Sequence, residues 1–308
     1  MAGSSQKAIY AALIGNGLIA VTKFAAATYT GSSAMLSEGI HSLVDTGNQV
    51  LLLYGIKRAK RPPDSEFPFG HGKEIYFWSF VVAMLIFALG GVISIYKGWQ
   101  HVAHPVPIVN LAINYAVLCL ALVFEAGALW VAFKEFNRSR GSLGIVKAIT
   151  RGKDPTLFVV VFEDSAALLG LLIALLGIFL YQLTGNPVFD GLASISIGLV
   201  LILTAWLLAL ESKKLLIGES ADPQIVQAIR ESLNQNERIH SVNEITTLHM
   251  GPEFIVVTIS ADFIDALSAE NLEYSVTELT KKIKAIDPRI QRVFIEAEHA
   301  EDHEMGPS

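Results

Sequence analysis

The chain has 308 residues, of which 52% are hydrophobic and 17% are charged. Soluble domains carry roughly 45–50% apolar and about 25% charged residues, so this balance favours an integral membrane protein and excludes a disordered chain. The formal net charge of −6 offers no chain-wide basic surface, and we expect no nucleic-acid partner. The single cysteine, Cys119, excludes an intrachain disulfide and a cysteine-based zinc cluster.

Charge is distributed unevenly along the chain. Residues 213–308 carry 17 acidic and nine basic side chains, whereas residues 1–212 carry 12 acidic and 14 basic ones. The sequence therefore predicts a membrane domain over residues 1–212 and a small soluble domain over residues 213–298. Residues 299–308 are predicted to form a solvated, disordered tail.

Six segments are predicted to span the membrane, because each offers about 20 mostly apolar residues. They are residues 8–30, 34–56, 75–96, 108–133, 157–182 and 188–210. The connection 57–74 holds five Lys and Arg residues and the connection 134–156 holds six, whereas the alternate connections hold only Lys97. The positive-inside rule then places both termini in the cytoplasm. We expect a multi-pass protein of a bacterial inner (plasma) membrane.

The soluble domain reads as α-β-β-α-β. Helices are predicted at 222–235 and 268–286, and strands at 242–250, 253–261 and 290–297. Asp222 is a suitable N-cap before Pro223, and Ser268 starts the second helix. The predicted fold class is therefore an all-α membrane domain of six helices followed by a small cytoplasmic α+β domain with its helices on one face of the sheet.

Ionisable side chains inside the predicted spans are costly in a bilayer and indicate function. His41 and Asp45 of span two are four residues apart, so they share one helix face and could hold one metal ion. Asp164 of span five would complete a cluster if the two spans pack together. Imidazole and carboxylate ligands suit zinc or a neighbouring divalent metal, and a hydrogen-bonded structural network is the alternative.

Three further charged side chains of the spans are open to more than one interpretation. Lys23 could extend to the cytoplasmic side or neutralise a carboxylate, and a structural role is favoured. Glu125 could relay protons or pair with Lys23. Asp190 follows Asn186 and Pro187 and is interpreted as a helix-start residue.

Three motifs resemble those of the cation diffusion facilitator family. They are LSEGIHSLVDTGN at residues 36–48, FPFGHGKEIYFWS at 67–79 and NPVFDGLASISIGLVL at 186–201. The resemblance implies a homodimeric, proton-coupled exporter of divalent metals, most often zinc, and not an enzyme. It implies a transport site of His41, Asp45 and Asp164, with the metal as transported substrate and no cofactor.

The sequence departs from the commonest family pattern on span five. Most members place a His or Asp four residues before Asp164, where this chain has Val160. The segment VFEDSAALLG instead resembles a divergent subgroup with Glu-Asp, which makes Glu163 the substitute ligand. Glu163 lies about 100° around the helix from Asp164, so sharing one ion would need a local distortion. Water could complete the shell instead, and iron or manganese gains support.

The resemblance also implies two peripheral metal sites. Asp64 and His71 match loop ligands of some relatives, although Phe67 replaces another His and His71 could simply order the loop. In the soluble domain His240 matches one ligand. Glu296 and Glu298 stand where a His and an Asp would be, and Thr258 replaces another His. His249 is interpreted as readily as a strand-surface residue as a metal ligand.

The sequence as a whole predicts a Zn²⁺/H⁺ antiporter that moves metal out of the cytoplasm as a homodimer in the lipid bilayer. An Fe²⁺ or Mn²⁺ exporter of the same family is the alternative. A membrane scaffold that senses metal without transporting it is an alternative of another class. An intramembrane metalloprotease is disfavoured because the chain has no HExxH motif.

Overall fold

The computed structural model describes residues 2–140 and 155–305. Contacts divide the chain into two compact units. The first comprises Met1–Ile56 and Tyr76–Lys213, and the second comprises Lys57–Ile75 and Lys214–Ser308. Three basic residues of the predicted cytoplasmic connection 134–156, namely Lys147, Arg151 and Lys153, lie outside the described residues.

The segment Lys57–Ile75 groups by its contacts with the second unit, although it precedes most of the first unit in sequence. Its contacts give the reason. The ring of Phe69 lies 6.5 Å from that of Phe254, and a side chain at Gly72 would collide with the backbone of Met250. These long-range contacts are not encoded in local composition.

Long helices make up most of the first unit. They are α1 (Ala2–Thr30), α2 (Ser33–Ala59), α3 (Glu74–Ala103), α4 (Leu111–Arg140), α5 (Pro155–Thr184) and α6 (Val188–Ile217). Within the described residues, α3, α4, α5 and α6 are long and apolar enough to cross a membrane. Large apolar side chains such as Trp130 and Trp206 are 67% and 63% exposed on these helices. A surface this apolar identifies a membrane protein.

Helices α3 and α6 cross at glycines. Gly91 lies against Gly198, and Gly98 lies against Gly191, so that a Cβ at any of the four would fall within 3.3 Å of the facing backbone. The Ser194 hydroxyl donates to the carbonyl of Ser94 between these two points (2.9 Å). A π-helical turn, Ile86–Val92, widens α3 where the first glycine pair meets. Lipid tails are as apolar as the helix surfaces, so the hydrophobic effect does not hold membrane helices together. Small residues allow the close packing that does.

Asp190 lies in the first turn of α6, as predicted, and its carboxylate also serves a second helix. Its carboxylate is fully buried and accepts hydrogen bonds from the Ser32 hydroxyl and from the backbone N–H groups of Ser33 and Ala34. It therefore caps the N-terminus of α2, although it lies in the first turn of α6. The start of α6 is satisfied by Asn186, whose side-chain oxygen accepts from the Val188 N–H (3.1 Å).

The second unit contains a three-stranded sheet with helices against it. Its elements are α7 (Pro223–Asn234), β1 (Ile239–Gly251), β2 (Phe254–Phe263), α8 (Ala269–Ile286), β3 (Ile290–Ala297) and α9 (Ala300–Met305). Strand β2 lies in the centre, antiparallel to β1 and parallel to β3. The residues Ile255, Val257, Ile259 and Ala261 alternate along β2 and pack against Ile229, Leu233, Leu279 and Ile283 of α7 and α8. Asp222 and Ser268 accept N-cap hydrogen bonds as predicted.

The predicted disordered tail is corrected in part, because residues Ala300–Met305 form the short helix α9. Two contacts hold it. The Ala300 N–H donates to Asp262 (3.3 Å), and the His303 ring lies 2.9 Å from the Glu298 carboxylate. One of these partners, Asp262 of β2, is distant from the tail in sequence, so acidic composition alone did not reveal its contact.

Candidate metal centre

Helix α2 gathers polar side chains on one stripe. Glu38, His41, Asp45 and Asn48 recur at intervals of three and four residues, which places them on the same helix face. His41 is 1% exposed and the Asp45 side chain is 13% exposed. The Nε2 atom of His41 lies 3.4 Å from a carboxylate oxygen of Asp45. This pair is the arrangement that the HxxxD spacing predicts.

Glu163 of α5 faces this stripe. Its carboxylate accepts a hydrogen bond from the Asn48 side-chain amide (2.8 Å), and the residue is 5% exposed. It lies on the buried face of α5, which also contains Ala167 and Gly170. Asp164 is half-buried at the edge of this face. Glu163 therefore contacts α2 directly through Asn48.

Several buried atoms of the α2 stripe lack a hydrogen-bond partner among the described residues. They are Glu38 Oε1, both ring nitrogens of His41, Asp45 Oδ1 and Asn48 Oδ1. An unpaired buried polar atom costs about 1–3 kcal/mol, so a cluster of them needs a reason. All of these are atom types that can coordinate a divalent cation, and this donor set fits a zinc-class ion.

The full predicted ligand set does not converge in this structure. Among the described residues, no three His, Cys, Asp or Glu side chains lie close enough together to hold a metal ion. Asp45 and Glu163 nevertheless belong to one region, because Asn48, three residues after Asp45 on α2, donates to the Glu163 carboxylate. Like-charged carboxylates repel one another, and a cation is what would draw them together.

The family is settled by comparison of the sequence. The Cation efflux transmembrane domain matches residues 9–217, about two thirds of the chain. The chain belongs to the cation efflux family.

Relatives of this cation efflux chain include named transporters. The proton-coupled zinc antiporter SLC30A9, mitochondrial, of Homo sapiens is 35% identical over 247 residues, 80% of this chain and 44% of that protein. Metal tolerance protein C4 of Arabidopsis thaliana is 31% identical over 269 residues, 87% of this chain and 59% of that protein. The uncharacterized transporter MJ0449 of Methanocaldococcus jannaschii is 22% identical, and the match covers 94% and 96% of the two chains. The chain thus spans less than half the length of the human relative.

A buried ion pair lies beside the α2 stripe. The Lys23 ammonium group donates to Glu38 (3.0 Å) and to the Ser42 hydroxyl (2.8 Å), and neither charged side chain is exposed. Of the two interpretations left open by the sequence, neutralisation of a carboxylate is confirmed and extension to the cytoplasmic side is wrong. The acid that Lys23 contacts is Glu38. The other candidate, Glu125 of α4, is also buried. Which acid pairs with Lys23 depends on how α1 packs against α2, and the sequence does not specify that packing.

The loop residues Asp64 and His71 bind each other. The His71 ring nitrogen donates to Asp64 Oδ2 (2.9 Å), while Asp64 Oδ1 accepts from the backbone N–H groups of Glu66 and Phe67. The hydrogen bond from His71 is the main cause that lowers the pKa of the Asp64 carboxyl. The ring of Phe67 lies 4.6 Å from that of His71. This geometry orders the loop, and metal binding here stays a prediction.

The predicted ligands of the second unit lie in different surroundings. Glu298 accepts from the Ser260 hydroxyl (2.5 Å) and contacts His303, and these hydrogen bonds lower the pKa of its carboxyl. Glu296 and His240 are exposed on β3 and β1. His249, one of whose interpretations was a strand-surface residue, is instead 1% exposed. Its ring lies 3.3 Å from the Gly251 carbonyl oxygen.

We expect Glu163→Gln to weaken zinc binding by at least about tenfold, while Asn48→Ala weakens it less. Gln keeps the size and the hydrogen bond to Asn48 but loses the negative charge that a divalent cation requires. Even groups that only orient metal ligands cost roughly 10–100-fold when removed. Calorimetric titration of the purified full chain with zinc measures the effect. Equal affinity for Glu163→Gln and the unmodified chain would assign Glu163 a purely structural role.

Proposed function

We propose that this cation efflux protein is a Zn²⁺/H⁺ antiporter that moves metal out of the cytoplasm. The buried His41–Asp45 pair on α2 carries the proposal, because it presents unpaired metal-binding atoms inside a membrane protein. Glu163 and Asp164 supply carboxylates from the facing helix. The printed name of the human relative, a proton-coupled zinc antiporter, supports the same activity.

The proposed topology has six spans, formed by α1 to α6, with both termini in the cytoplasm. The basic residues near the end of α2 and of α4 support it through the positive-inside rule. Helix α2 is long enough to cross a membrane, but its polar stripe lowers its mean hydropathy below that of α3 to α6. We further propose a homodimer, in which the second unit contributes contacts. The bacterial inner membrane stays a prediction, since one relative is named mitochondrial.

Competition between metal and protons supplies the coupling. A metal ligand must be deprotonated, so a proton and the metal cannot occupy the same atom. On the cytoplasmic side, His41, Asp45 and the α5 carboxylates release protons and bind the cation. After the site has reoriented, protons from the far side bind these atoms and release the metal. His41 suits this exchange because an ordinary imidazole titrates near neutral pH.

The proposed activity is tested with purified protein in liposomes that contain a zinc-sensitive dye. We expect zinc uptake when the lumen is more acidic than the outside, and a loss of most of that uptake when an ionophore collapses the pH difference. Protein-free liposomes give the background. Uptake that is indifferent to the pH difference would overturn antiport. No flux above background, together with tight zinc binding, would favour the metal-sensing scaffold.

The same liposomes test the choice of metal. With Glu163 as the substitute for the His or Asp that most members carry at the position of Val160, the site is rich in oxygen ligands, which suit manganese or iron(II) better than nitrogen ligands would. Competition of Mn²⁺ and Fe²⁺ with zinc for uptake decides between the zinc exporter and its alternatives.

A further inference from the structure

Lys23 is the one fully buried lysine or arginine among the described residues. It lies in the C-terminal third of α1, and both of its hydrogen bonds go to α2, one to Glu38 and one to Ser42. A buried ion pair is poor evidence of stability, since a well-packed apolar pair of similar volume is often as stable or more so. The pair therefore calls for a role other than holding the helices together.

Glu38 is placed where it could act as a metal ligand. It precedes His41 by three residues on the same stripe, and its Oε1 atom is buried without a hydrogen-bond partner among the described residues. The missing side chain at Gly170 of α5 leaves the space that this oxygen occupies, because a Cβ there would overlap it. Only the second oxygen, Oε2, is bound by Lys23.

The charge of Lys23 reaches the candidate metal centre. Its ammonium group contacts Glu38 and Ser42, which precede and follow His41 on α2. The acids of this region, Glu38, Asp45, Glu125, Glu163 and Asp164, would together far exceed the charge of one divalent ion. A single fixed cation in the cluster removes one of these charges without occupying the position of the transported ion.

We propose that Lys23 is a positioning residue that withholds Glu38 from the transported ion and lowers the negative charge of the site by one unit. The inference rests on the proposed function, because it assumes that the ion binds at His41 and Asp45. Ser42 fixes the ammonium group between the two helices, and Gly170 gives the Glu38 carboxylate the room to lie beside it.

The test is a cycle of three variants, Lys23→Gln, Glu38→Gln and the double variant, titrated with zinc by calorimetry at alkaline pH, where protons compete least. Lys23→Gln makes the site more negative and releases Glu38, so zinc should bind tighter by on the order of tenfold. Glu38→Gln leaves the lysine uncompensated, so zinc should bind more weakly by a similar factor. The double variant restores the charge balance and should return the affinity to within about threefold of the unmodified chain.

A purely structural pair predicts a different pattern. Both single variants would then weaken zinc binding or leave it unchanged, and shifts of the same sign would overturn the proposal. Thermal melting and size-exclusion chromatography show which variants fold. If Lys23→Gln does not fold, Glu38→Gln and the double variant test the same claim, because removal of Lys23 must then restore the lost affinity.

Failure of this inference is distinguishable from failure of the proposed function. Zinc–proton exchange by the unmodified chain in liposomes, without the opposite shifts in the variants, overturns only the role of Lys23. Zinc binding with the opposite shifts, but without exchange, overturns antiport and leaves the charge-setting role in place.

Discussion

Asp45→Ala is expected to reduce zinc flux by more than about 100-fold, because it removes a charged ligand and leaves His41 without its partner 3.4 Å away. Removing groups that merely support a metal ligand already costs roughly 10–100-fold. Flux into dye-loaded liposomes, normalised to the amount of reconstituted protein, measures the effect. His41→Ala is expected to behave in the same way, since the two side chains form one face of α2.

The control for this prediction lies on the same helix. Gly47 is exposed, and a Cβ at this position would meet no heavy atom within 4 Å, so Gly47→Ala adds a methyl group on the other side of α2. It should fold and transport normally, which shows that substitution of α2 is tolerated away from the stripe. If Asp45→Ala transported at the unmodified rate while folding normally, the metal centre proposed here would be in the wrong place.

The α2 stripe could be predicted from sequence because it depends only on helical periodicity. Residues three and four apart share a face in any α-helix, so the closeness of His41 and Asp45 followed once the helix was recognised. The same reasoning could not choose between Glu163 and Asp164, which differ by 100° around α5. That choice depends on which face of α5 meets α2. The structure shows this face through the Asn48–Glu163 hydrogen bond.

The partners that sequence analysis missed are joined by packing between helices. Lys23 and Glu38 are 15 residues apart, and their contact requires α1 and α2 to lie side by side. Asp190 is separated from the α2 N-terminus by more than 150 residues, so local signals indicated only a helix-start residue of its own helix. In both cases the residue type indicated a buried charge with a partner, but the sequence did not specify which partner.

Gly98→Leu is expected to prevent the folded α3–α6 pair from forming. A Cβ at this position would lie 2.7 Å from the Gly191 carbonyl oxygen and 2.8 Å from the Ile195 backbone nitrogen. Backbone atoms cannot move aside as the end of a flexible side chain can, so the helices themselves must separate. Gly98→Ala, which adds one methyl group, should already cost about 1–3 kcal/mol through overpacking. Size-exclusion profiles and apparent melting temperatures in detergent follow both variants.

Gly127→Leu is the matched control, because a Cβ at Gly127 of α4 meets no heavy atom within 4 Å. It introduces the same side chain into another apolar helix and should leave the melting temperature within a few degrees of that of the unmodified chain. Normal folding of Gly98→Leu would mean that α3 and α6 can separate without loss of structure. The spacing argues against that outcome. Gly91 and Gly98 are seven residues apart, as are Gly191 and Gly198, so two turns of helix bring both glycines of each helix to one face. A leucine at one of the two contact points would therefore also open the other, where a Cβ on Gly91 would lie 3.2 Å from the Gly198 carbonyl oxygen.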